Sequence, residues 1–128
     1  MKKLFLAALL AISVSTFAQT SYEKAMIDKI AQVEQQKKSD EFTALTNDFT
    51  RIGDKEKNQW LPYYYAAFTN IQKGRIAMRE GKMTELDAIA AEAQKPLDLA
   101  MGLSKDNAEL LILQKMIHGL KMMVDPQS

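Results

Sequence analysis

Half of the chain's aromatic residues fall in one nine-residue run, Trp60-Leu61-Pro62-Tyr63-Tyr64-Tyr65-Ala66-Ala67-Phe68. A cluster that dense must be covered by neighbours, so whatever fold forms has to place apolar surface on more than one side of this segment. Pro62 suits the first turn of a helix, where its missing N–H is not needed. The run therefore reads as the opening turns of a long central helix, flanked by a helical hairpin on each side.

Helical spacing recurs along the rest of the chain, and strands find little support because β-branched residues are scattered rather than alternating with polar ones. Tyr22, Met26, Ile30 and Val33 form the stripe of a first helix, from Ser21 or Tyr22 to Lys37. Ser39 and Asp40 offer cap oxygens for a second helix carrying Phe42, Leu45, Phe49 and Ile52, with Gly53 in the position of a left-handed C-cap. The third helix runs from about Leu61 to Glu80, with Tyr64, Ala67, Phe68, Ile71, Arg75 and Met78 in rhythm. Gly74 within it suggests close approach of a neighbour, and Gly81 closes it. Thr84 is the expected N-cap of a fourth helix that continues, bent, through Pro96. Asp106 and Glu109 stand at capping-box spacing before a fifth helix, and Asn107 is an alternative cap. That helix is apolar around most of its circumference, leaving a polar strip of Gln114, Lys115, His118 and Lys121. The expected fold is thus all-α: stacked antiparallel helical hairpins, with about five helices after a signal peptide.

The first 18 residues carry that signal. Lys2 and Lys3 make a basic start, Leu4 to Val14 an apolar stretch, and Thr16-Phe17-Ala18 a cleavage site with a small residue at the cut. The apolar stretch is shorter than the roughly 20 residues a membrane-spanning helix needs. The expectation is an exported chain, periplasmic or secreted, with residues 19–128 as one helical domain and no membrane span in the mature chain. There is no cysteine, so no disulfide supports the fold. With 17 basic and 16 acidic residues and no basic block, nucleic acid is not an expected partner.

Chemistry-bearing patterns are sparse. His118 is the only histidine, so no Ser/His/Asp or Cys/His arrangement can be assembled and no multi-histidine metal site exists. Gly74 and Gly81-Lys82 have the wrong spacing for a phosphate loop. Glu85, Asp87, Glu92 and Asp98 read as a solvated helix face, and the dispersed methionines as gap-filling core. The chain is read as non-enzymatic, with no catalytic residue, cofactor or metal. Recognition is left to the aromatic run: Tyr63, Tyr64 and Tyr65 point about 100° apart on a helix, so they cannot all enter one core. Tyr64 is assigned to the core with Trp60 and Phe68, and Tyr63 or Tyr65 to a groove. Tyr63, Tyr65, Gln72 and Gln114 are the partner-contact candidates, on a concave face built by the first, third and fifth helices.

The segment Ala100, Leu103, Asp106, Asn107, Ala108 and Glu109 resembles the inter-repeat turn of tetratricopeptide repeat proteins, with Lys105 in place of the usual proline. Trp60, Tyr63, Tyr64 and Ala67 resemble the first helix of such a repeat, although Tyr64 stands where a small residue is usual and the helices are longer than in a 34-residue repeat. The resemblance covers roughly Trp60 to Leu120. The chain as a whole is similar to exported bacterial proteins of uncharacterised function that join a signal peptide to a Trp-Leu-Pro-Tyr-Tyr-Tyr-Ala-Ala helix and run on beyond this point. It implies an α-solenoid fragment that binds a protein or peptide partner of the cell envelope. Because terminal repeats need a polar outer face, the apolar fifth helix implies either missing C-terminal repeats or a second copy covering it. The alternative function is then a structural or assembly protein that oligomerises through that helix.

Overall fold

The computed structural model describes residues 21–124. The signal-peptide reading of residues 1–18 and the terminal Asp125-Pro126-Gln127-Ser128 lie outside them. Among the described residues the fold is all-α: α1 spans residues 21–35, followed by α2 (Ser39–Glu56), α3 (Leu61–Arg79), α4 (Leu86–Leu103) and α5 (Ala108–Val124). A 3-10 turn, Met83–Glu85, leads into α4.

Cross-helix contacts give the directions. The Lys29 ammonium meets the Asp48 carboxylate at 2.8 Å, while Tyr22 feels the charge of Glu56, so α1 and α2 run antiparallel. Thr46 meets Thr69 at 2.6 Å and Gly53 lies against the Tyr63 ring, which makes α2 and α3 antiparallel as well. Along α3 and α5 the numbers rise together, from Tyr64 beside the Glu109 charge to Gly74 beneath Leu120, so these two run parallel. That order follows from short connections, which turn each helix back along its predecessor.

Helix α3 is the centre. On one side Ala66 and Ile76 join Met26 and Val33 of α1 and Phe42, Leu45 and Phe49 of α2. On the other, Tyr63, Ala67, Ile71 and Ala77 pack with Leu86, Ala90, Ala93, Leu97 and Ala100 of α4 and Leu110, Leu113, Ile117 and Leu120 of α5. Phe68 touches both clusters. The alanines of α4 let it lie close to α3, since interaxial distance is set by the side chains at the contact.

Several helix ends differ from expectation. Lys38, not Ser39, stands at the N-cap of α2, without a side-chain cap bond. Gly53 does not end α2. The helix continues three residues further and stops at Lys57, whose φ of 68° lets its N–H reach the Gly53 carbonyl at 2.8 Å. Glu85 takes the cap position of α4 where Thr84 was expected, again without a side-chain bond. At α5 the alternative cap holds: Asn107 Oδ1 accepts the Glu109 N–H at 3.0 Å, and Asp106 instead adopts φ 57° in the turn. Gly81 closes α3 as expected, with φ 75°, its N–H on the Met78 carbonyl and the Lys82 N–H on that of Ala77. Pro96 is buried inside an uninterrupted α4.

The two buried glycines carry unequal constraints. A Cβ at Gly53 would stand 2.7 and 2.8 Å from Cε1 and Cζ of Tyr63, a rigid ring whose hydroxyl is tied to Asp54. A Cβ at Gly74 would meet only the methyl ends of Leu120, at 2.8 and 2.9 Å, which a rotamer change can move. Gly53→Ala is therefore expected to lose about 1 to 2 kcal/mol, overpacking outweighing the helix-propensity gain. Gly74→Ala should stay within about 1 kcal/mol of the parent. Urea unfolding of both variants checks the contrast.

Candidate functional site: the aromatic stripe of the central helix

Because α3 is packed by α2 on one side and α4 and α5 on the other, most of its circumference is buried. What remains is one stripe. Tyr65, Phe68 and Gln72 follow at spacings of three and four and are half-buried, and Arg75 and Arg79 continue the stripe in solvent. Arg75, expected along the apolar rhythm, is thus exposed.

The aromatic rings form a contiguous platform at the N-terminal end of this stripe. Phe49 of α2 stacks beneath Tyr65 with ring centres 5.2 Å apart. Tyr64 stacks on Phe68 at 6.3 Å and meets Tyr65 edge-on at 5.0 Å, while Trp60 closes the far side edge-on at 6.0 Å. Burial raises the pKa values of Tyr64 and Tyr65, and Glu109 at the start of α5 raises both further, with Glu34 of α1 adding to the effect on Tyr65. Two acids therefore stand near the tyrosines and two arginines at the other end of the stripe.

Beside the stripe, α3 and α5 enclose an apolar groove of about 280 Å³ lined by Ile71, Arg75, Met78, Met116, Gly119, Leu120 and Met123. Gly119 widens it, having no side chain to fill the space. Methionine at such a surface adapts to varied apolar shapes.

The four sequence candidates do not share one place. Tyr65 and Gln72 lie on the stripe. Tyr63 does not: its ring is only 6% exposed, packed on Gly53, and its hydroxyl donates to Asp54 Oδ1 at 2.6 Å. The expectation that Tyr63 lines a groove is corrected, and Tyr64 takes the half-exposed position instead. Gln114 faces α4, where its carboxamide and that of Gln94 exchange two hydrogen bonds of 2.8 Å. His118 Nε2 lies 3.4 Å from the same Gln114 amide, at the edge of this pair. Glu34 and Glu109 were missed by sequence reasoning; the three-and-four spacing of the stripe carries no information about charges supplied by other helices.

Among the described residues no group of three His, Cys, Asp or Glu side chains gathers where a metal ion would sit, and no helix is long and apolar enough to cross a membrane. The structure thus defines an all-α protein with a half-buried aromatic stripe on its central helix. Comparison with protein-family models, curated proteins and solved structures finds no match to this chain.

Proposed function

We propose that the protein is a non-enzymatic helical-repeat module of the bacterial cell envelope that binds a protein or peptide segment along the stripe of α3. The observation that carries this reading is the aromatic platform itself. Tyr64, Tyr65 and Phe68 are held rigid by stacking yet remain half-exposed, and neither tyrosine hydroxyl has a hydrogen-bond partner among the described residues. Rigid amphipathic rings of this kind give contact area at low entropic cost. The Glu34 and Glu109 end suits a basic residue of the partner, the Met-lined groove an apolar one, and the Arg75 and Arg79 end an acidic one.

Gln72→Ala with Arg75→Glu alters the stripe at half-buried and exposed positions without touching the core. In pull-downs from an envelope extract, this variant is expected to recover the specific partner at least about tenfold less well than the parent, the scale of 1.4 kcal/mol. Tyr65→Phe, which removes one hydroxyl, should give a smaller loss. Identical recovery by all three baits would refute the assignment.

The assembly reading has its own supporting observation. Helix α5 leaves Leu111, Ile112, Met122 and Met123 exposed, with Leu111 at 55% and Met122 at 58%. Soluble monomers avoid large contiguous apolar surface. Light scattering that reports a stable dimer, abolished by Ile112→Glu, would favour this second reading, and a monomer at high concentration would remove it.

A further inference from the structure

A second groove opens on the other side of α3, between α2 and α4. Thr46, Asn47 and Thr50 form one wall, Glu92, Lys95 and Leu99 the other, and Asn70 and Pro96 lie between them. Its volume is about 240 Å³, room for several water molecules or a small ligand group. Asn70 is 5% exposed, and its carboxamide has no hydrogen-bond partner among the described residues. Unlike the Tyr22 hydroxyl, this carboxamide is not sealed from water, so what it lacks is a protein partner and not solvation. Asparagine is also a weaker helix former than the alanines found at neighbouring contacts.

The surroundings define what would satisfy it. Thr50 donates its hydroxyl proton to the Thr46 carbonyl at 2.8 Å and so offers mainly acceptor lone pairs to the groove, whereas the Thr46 hydroxyl is engaged by the Phe42 carbonyl at 2.9 Å and by the Thr69 hydroxyl at 2.6 Å. Proline at position 96 has no N–H, which leaves the Glu92 carbonyl without its helical donor. At the rim the Lys95 ammonium and Glu92 carboxylate pair with each other at 3.3 Å, so the groove presents no net charge to a ligand. Leu99, half-exposed, gives one edge an apolar surface.

We propose that this groove is a binding site for the main chain of an extended peptide. The Asn70 carboxamide would exchange paired N–H···O bonds with the N–H and C=O of one extended residue while an aliphatic side chain of that peptide rests on Pro96 and Leu99. An extended residue is the complement because its own N–H and C=O lie along the same edge of the strand, side by side like the donor and acceptor of the carboxamide. The neutral rim disfavours a free carboxylate, phosphate or ammonium group. This site is distinct from the stripe of α3 and stands or falls independently of it.

The test follows the Asn70 side-chain amide by nitrogen-15 NMR in the full chain, using acetyl-Val-Leu-Val-N-methylamide as probe and its ester analogue, with the leucine N–H replaced by oxygen, as control. Saturable shifts of the Asn70 amide are expected with a Kd on the order of 1 mM, and the ester should bind about three- to tenfold more weakly, the worth of one hydrogen bond. Asn70→Leu should lose probe binding by about tenfold or more. Should that variant fail to fold, Leu99→Glu, at an exposed position, is expected to weaken the probe by a similar factor while leaving the Asn70 resonances of the free protein in place. An Asn70 amide unmoved by saturating probe, or equal binding of amide and ester, would show that the groove holds ordered water only and overturn the proposal.

Discussion

Tyr63→Ala is expected to cost about 3 to 5 kcal/mol of folding stability, the range for emptying a buried aromatic site. The ring fills the space between α2 and α3 that Gly53 leaves open, and alanine would create a cavity there without relieving any strain. Since small domains are stable by only about 5 to 15 kcal/mol, this single change should move the urea midpoint far down or leave the chain partly unfolded at 37 °C. A tyrosine lining a groove would instead cost little stability and lose only partner binding. Tyr63→Phe separates the two contributions: it keeps the packing and removes the bond to Asp54, so a loss of about 1 kcal/mol is expected.

The same residue gives the fold a pH dependence in the alkaline range. Burial, the hydrogen bond to Asp54 and the Asp54 charge push the Tyr63 pKa up from 10.0 to about 12. In the unfolded chain the phenol loses its proton near pH 10, whereas the folded protein holds it until about pH 12. Over that window the native state binds more protons, so stability falls as pH rises. The contribution is complete below pH 10 and gone above the folded value. Denaturation profiles across the window should be shallower for Tyr63→Phe than for the parent; superimposable profiles would show that another group dominates.

Phe49→Ala is the second large effect, again about 3 to 5 kcal/mol, because Phe49 is fully buried at the centre of the α1, α2 and α3 cluster. It carries a functional consequence as well. The Phe49 ring supports Tyr65 from below, with planes inclined by 23°. Removing it frees Tyr65 to reorient, so under conditions where the variant is still folded, partner recovery should drop below that of the parent. Phe49→Leu, which keeps part of the apolar volume, should restore most of the stability but less of the binding. Guanidinium titrations alongside pull-downs resolve the two quantities.

The difference between Tyr63 and Tyr64 shows how far the chain could be read without its fold. Which residues share a stripe is a local matter, fixed by the helical repeat, and Tyr65 and Gln72 were legible as outward-facing candidates for that reason, although Phe68, which stands between them, was assigned to the core. Which stripe is covered depends on neighbours. An error of one residue is a rotation of about 100°, and in a helix apolar on both sides nothing local distinguishes the two settings. Here the decision came from Gly53 on α2, which offers a slot for a ring, and that pairing involves residues whose role the sequence assigned to a helix end. For Gln114 the polarity was legible, but the hydrogen-bond partner was not, because Gln94 sits on another helix.

Sequence alone determined the all-α class, the order of about five helices and the continuity of α4 through Pro96, because each follows from spacing, turn chemistry or a single residue's backbone properties; the close approach at Gly74 it only suggested. Tertiary structure decided which tyrosine is buried, which charges stand beside the aromatic stripe, and that the Asn70 amide has no hydrogen-bond partner among the described residues. These are properties of surroundings: burial, field and hydrogen-bond satisfaction depend on groups brought together from distant parts of the chain, and no residue carries them by itself.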